Sequence, residues 1–270
     1  MEPVRQQKKK IERQPCLVAA GAYACMVAAY ILADALPING LTNAEVSARN
    51  QTLLTPAPGT FLMWFAVWAL LLLYTLYQLG IFQWGEGRGP CATDLTKAIA
   101  PLFTLSSVCV ALFIVAWHYE LMLVCFVLMA ALVYGLLRVM RILRKERLCM
   151  REKLFVLVPL SAFLAWGILV AMTSFAAMLA SLGWDGWGPN MDVWAVIALL
   201  LGTVAGIFLM FRFRSAVIGP VFAWGYGGIL AAHASPEILN GEYPLVILAL
   251  IVCLIALLFS FALCIYQKKP

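Results

Sequence analysis

Long apolar stretches alternate with short polar joints along the whole chain. Apolar runs of spanning length fall at 16–36, 60–82, 97–117, 121–140, 154–181, 192–211, 215–233 and 244–266. A helix rising ~1.5 Å per residue needs about 20 such residues to cross the hydrocarbon core of a bilayer, so the pattern predicts an all-α, polytopic transmembrane bundle of about eight spans. Two joints are very short. Only His118, Tyr119 and Glu120 separate the third and fourth runs, and only Arg212, Phe213 and Arg214 separate the sixth and seventh; both predict tight helical hairpins. The first run follows a basic head, MEPVRQQKKKIERQP, as a signal peptide would. It is too long for a signal h-region and no small-residue cleavage site follows a short one, so it reads as the first span.

Charge supplies a second, independent signal. Lys and Arg collect in cytoplasmic loops, whereas Asp and Glu contribute little to orientation. With the N-terminus inside and eight spans, 18 of the 19 basic residues fall on the cytoplasmic side and Arg49 alone falls outside. The largest group is the run Arg138, Arg141, Arg144, Arg147, Arg151 with Lys145 and Lys153. A missed or wrongly split span would scramble this segregation. Both termini are therefore expected in the cytoplasm, with the bilayer of a bacterial plasma membrane as the surrounding medium.

Composition agrees. At 64% hydrophobic and 12% charged residues, with a mean hydropathy of +0.93, the 270-residue chain has too little polar surface for a water-soluble globule. None of the eight cysteines falls in an outer loop, and no C-x-x-C spacing suggests zinc or redox chemistry. Asn50-Gln51-Thr52 is a glycosylation sequon that matters only in a eukaryotic secretory pathway. No P-loop, H-E-x-x-H or G-x-S-x-G motif is present, and no lysine sits mid-span to form a retinal Schiff base. No catalytic residues, metal ligands or nucleic-acid partner are assigned, and no cofactor is required.

Tryptophan is the informative residue type, because its amphipathic ring favours bilayer interfaces. Trp84 at the inner boundary and Trp117, Trp184, Trp187 and Trp194 at the outer one fit such a belt. Trp64, Trp68, Trp166 and Trp224 fall inside spans, where a buried indole N–H needs a partner. Phe61, Trp64 and Trp68 recur at three- and four-residue spacing and form one stripe, readable as helix packing or as the wall of an apolar pocket. Pro101, Pro159 and Pro220 lie within spans and predict bends that open space beside these rings. His118, Glu120 and His233 lie at the outer boundary without ligand spacing. Asp34 is shallow enough to reach water, and Asp185 is expected to hold a Gly-rich turn through local hydrogen bonds. The Gly202-x-x-x-Gly206 pair permits close helix approach, within the chain or between two copies in a homodimer.

The segment LPINGLTNAEVSARNQTLLTPAPGTFLMWFAVWALLLLY resembles the tryptophan-rich sensory protein and translocator protein family, TspO/MBR. A Pro-containing segment leads into a Phe and then a Trp one turn on, as Pro56, Pro58, Phe61, Trp64 and Trp68 do here. Pro159, Trp166 and Ala171 are similar to the last core helix of that family, and Ser106 or Ser107 stands where smaller members carry an asparagine. LPINGLT and GWDGWGPNMDVWAVI are similar to motifs of enlarged bacterial members. The resemblance implies a basic cytoplasmic tail (1–15), a five-helix core (16–182) roofed by the first outer loop, and a three-helix extension (183–270). It also implies a porphyrin, haem or other small hydrophobic ligand, held by Pro56, Phe61, Trp64, Trp68, Trp117, Trp166 and Trp224. Binding, sensing or transport of such a ligand is one reading. A permease or accessory subunit docking another membrane protein through the basic run is a second, and a membrane enzyme acting on lipid or porphyrin is a third.

Overall fold

The computed structural model describes the backbone of residues 2–36, 38–81, 91–186 and 191–267, with side chains for these except 2–13, 34 and 91–93. Trp84, Trp187 and the side chain of Asp34 thus lie outside the described residues. The chain folds as α1 (Glu2–Ala35), α2 (Asn43–Arg49), a 3₁₀ turn (Pro58–Leu62) running into α3 (Met63–Gln78), α4 (Cys91–His118) and α5 (Met122–Lys145). There follow α6 (Met150–Glu152), α7 (Val158–Ser181), α8 (Met191–Phe213), α9 (Ile218–Ala234) and α10 (Pro244–Tyr266). A π turn, Lys153–Leu157, joins α6 to α7 in one continuous rod. The protein is a polytopic helical bundle. α1 starts well before the first apolar run, so the segment expected as a tail continues the first helix.

Among the described residues, seven helices are long and apolar enough to cross a membrane. The eighth expected span is α9, which has 17 residues and begins at Ile218, not 215. The hairpin is larger than expected because Arg214 adopts a left-handed conformation (φ 51°) and Ser215 N–H bonds back to Met210 O at 3.1 Å. The 118–120 hairpin closes in the same way, with Glu120 at φ 54° and Leu121 N–H donating to Ala116 O at 2.9 Å. These six-to-one bonds are the Schellman closure, made here on non-glycine residues. At 17 residues α9 still extends ~25 Å, the short end of the spanning range.

Two groups of helices are visible. In the first, α1 packs on α4, α4 on α5, α5 on α7, and α3 closes against α7. In the second, α10 packs on α8 and α9, and the groups meet mainly along α7 and α9. α7 is the pivot: every residue from Pro159 to Gly167 is buried, as befits a helix apolar on all sides. Close approach comes from small residues. A Cβ at Gly167 would press on Leu132, and one at Gly225 on Leu169. Gly202 faces the Tyr226 hydroxyl and Met172, and Gly206 lies against the Phe222 ring, so the Gly-x-x-x-Gly pair packs α8 inside the chain. Pro220 sits in the first turn of α9, where the missing N–H has no intrahelical partner to lose. Pro159 instead follows the π turn inside the continuous rod; there Val158 N–H reaches Lys153 O, and the wider turn accommodates the donor that proline lacks.

Candidate ligand pocket

The segment between α1 and α3 forms a strap across one end of the bundle. Its front half is seated by α2, where Thr42 and Glu45 form a capping box and Leu41 and Val46 pack with Met122, Ala177 and Met178. Thr42 donates both its backbone N–H and its hydroxyl to the Glu45 carboxylate, each at 2.8 Å, and these bonds hold that carboxyl below its ordinary range. Arg49 and Asn50 reach Glu120 at 3.4 and 3.3 Å, the first contact exposed and the second part-buried. The rear half, Leu53 to Leu62, crosses to α9. Ala57 N–H donates to Gly228 O at 2.9 Å, Trp224 Nε1 donates to Thr60 O at 2.9 Å, and His233 Nε2 lies 3.0 Å from Leu53 O.

Beneath the rear half is a cavity between α7 and α9, lined by Leu54, Pro56 and Phe61 of the strap, by Trp166, Leu169, Val170, Met172 and Thr173 of α7, and by Gly225 and Ile229 of α9. Its wall is almost wholly apolar; the Thr173 hydroxyl is already spent on Val170 O at 3.0 Å. Trp166 is the exception, for its buried indole N–H has no partner. The cavity measures about 20 Å³, room for roughly one water and far below the roughly 300 Å³ or more of occupied small-molecule sites. The structure is a closed form.

Of the seven residues expected at a ligand, Pro56, Phe61 and Trp166 line this cavity. Trp64 and Trp68 stand behind it. Trp64 meets Trp166 edge to face at 6.0 Å and stacks on Trp68 at 6.0 Å and 29°. Tyr30 of α1 covers Trp68 at 4.6 Å, and Tyr23 ties α1 to α3 by donating to Trp68 O at 2.8 Å. Trp117 is elsewhere, half-buried and stacked on Phe113 at the C-terminal end of α4. Trp224 is 47% exposed, with its N–H engaged by the strap. The lining residues that sequence reasoning missed have two signals in hindsight: Trp166, Leu169, Val170 and Thr173 share one face at helical spacing, and the cluster Gly225, Gly227, Gly228 marks a close approach on α9.

A family model described as TSPO-like protein matches residues 16–263. The chain belongs to the TSPO-like protein family. The match takes in both helix groups, so the last three helices lie within the stretch matched by the TSPO-like model. No curated protein and no solved structure matches the chain. With seven helices of membrane-spanning length and composition, this TSPO-like protein is an integral membrane protein.

Proposed function

We propose that the protein is a receptor or carrier, not an enzyme, for a flat, largely apolar molecule of the tetrapyrrole class, taken up between α7 and α9 beneath the strap. The observation that carries this reading is the strapped apolar cavity lined in part by Trp166, a buried residue whose indole N–H has no partner. An orphaned buried donor costs about 1–3 kcal/mol, and a ligand carbonyl, carboxylate or ring nitrogen relieves it. Trp64 and Trp68 form the rigid backing that fixes the Trp166 ring. The small volume requires that strap residues 53–62 and the Phe61 ring move outward before a ligand of this size enters.

The charge segregation supports cytoplasmic termini, which puts the strap on the outer face. In detergent micelles, protoporphyrin IX is expected to quench tryptophan fluorescence saturably, and Trp166→Leu to weaken binding at least tenfold while Trp117→Phe leaves it unchanged. Equal affinity in all three proteins would remove the site.

One observation favours a second role. All seven basic residues between Arg138 and Lys153 are exposed, whereas Glu152 is buried and its carboxylate accepts from Cys149 N–H. Such a surface suits docking of an acidic partner on the cytoplasmic side, and recovery of a stoichiometric partner in mild detergent tests it.

A further inference from the structure

Trp224 and His233, both singled out in the sequence, do not line the cavity: each turns a ring nitrogen to a backbone carbonyl of the strap. From this we infer that α9 is a clasp, and that the three-helix group regulates access to the pocket by holding strap residues 53–62 shut. The inference rests on the reading of the cavity as a ligand chamber, and it assigns Trp224 a latching role in place of a stacking one.

The strap runs antiparallel to α9. Leu53 O meets His233, Ala57 N–H meets Gly228 O and Thr60 O meets Trp224, at 3.0, 2.9 and 2.9 Å, over a length of ~13 Å of helix. Close contact is built in at Gly228, where a Cβ would collide with the Thr60 side chain. All three bonds use backbone groups of the strap, so they specify its path and not its sequence. The other half of the strap is held differently. Its ties to the α4–α5 turn are an exposed ion pair, Arg49 to Glu120 with side chains 59% and 36% exposed, which holds little, and single side-chain bonds from Asn39 to His118 O and from Asn50 to Glu120, both at 3.3 Å. What seats α2 is the buried Val46 and Leu41 cluster. Release of the α9 bonds therefore frees residues 53–62, which carry Leu54, Pro56 and Phe61 away from the cavity, while α2 stays in place. His233 is buried and packs edge to face on Tyr243 at 5.9 Å, which anchors the outer end of the clasp to the start of α10.

The test is hydrogen exchange of the full-length protein in micelles without ligand. Trp224→Phe keeps a ring and removes the donor; Gly228→Ala forces Thr60 off the helix. Each is expected to speed exchange of the Ala57 and Thr60 amides about fivefold or more, the equilibrium shift that follows loss of one net hydrogen bond, with the Val46 and Asn50 amides of α2 unchanged. Adding Thr60→Gly to Gly228→Ala restores the space and is expected to return the Ala57 rate toward that of the native protein. Unchanged exchange in both single variants, or equal acceleration in α2 and the strap, would overturn the clasp. With protoporphyrin IX added, association and dissociation are both expected to quicken in Trp224→Phe. Failure of every protein to bind it would count against the ligand and leave the exchange result standing.

Discussion

Both helix groups are strongly apolar in sequence but they are held together by different means. In the five-helix group large rings fill the centre, Trp64, Trp68, Trp166, Tyr30, Tyr74 and Phe103, and several buried polar atoms have no partner: the indole N–H of Trp68 and Trp166, the hydroxyls of Tyr74, Thr75 and Ser107, and the amide of Gln78. In the three-helix group glycines make notches that accept rings, Gly202 for Tyr226 and Gly206 for Phe222; the unpartnered atoms there, Ser215 Oγ and His233 Nδ1, lie at helix ends, and the Tyr226 and Thr203 hydroxyls are paired. Tyr226 donates to Leu199 O at 2.7 Å and Thr203 to the same carbonyl at 2.8 Å. A close-packed, hydrogen-bonded group is suited to act as a fixed post. A ring-filled group with unsatisfied donors is suited to accept something else, since each orphaned group is a reason for another molecule to bind.

Substitutions can break this contrast. Trp166→Ala is expected to have the largest effect, about 3–5 kcal/mol of stability in reversible unfolding, because the ring is 2% exposed and braces Trp64; a loss under about 1 kcal/mol would deny that the rings carry the first group. Gly202→Val comes next, at about 1–3 kcal/mol from overpacking, since even a Cβ there stands 2.5 Å from the Tyr226 oxygen. The sharpest comparison is a matched pair. Tyr226→Phe removes a satisfied hydroxyl and should cost about 1 kcal/mol, whereas Tyr74→Phe removes an unsatisfied one and should be neutral or stabilising. Equal losses would show that the Tyr74 hydroxyl is not an orphan.

The smallest effect concerns the strap. Hydrogen bonds from Thr42 depress the Glu45 carboxyl, so its contribution to the α2 cap is fully present above the ordinary carboxylate range and is lost as pH falls through the lowered value. Protection of the α2 amides, taken relative to intrinsic exchange at each pH, should fall on acidification in the native protein and be insensitive to pH in Glu45→Gln.

Hydropathy and charge made the spans legible because a bilayer imposes one length and one charge rule on every crossing. The stripe Phe61, Trp64, Trp68 and its meeting with Trp166 were readable for the same reason: helical period and family motifs both mark them. The place of the cavity was not readable. It depends on which face of α7 meets α9, and neither helix has a polar face to announce it. Trp224 looks in sequence like Trp64, a ring within an apolar run, and only the carbonyl of Thr60, 164 residues away, separates their roles. The π turn before Pro159 was hidden likewise, because a proline that follows a π turn and a proline that kinks a helix have the same local sequence.

The most direct test of the account is the position of protoporphyrin IX in a structure of the loaded protein. The ring is expected between Phe61 and Trp166, in the space between α7 and α9, with the Ala57–Gly228 and Trp224–Thr60 bonds broken. A ring seated elsewhere, or seated there with both bonds intact, would contradict it.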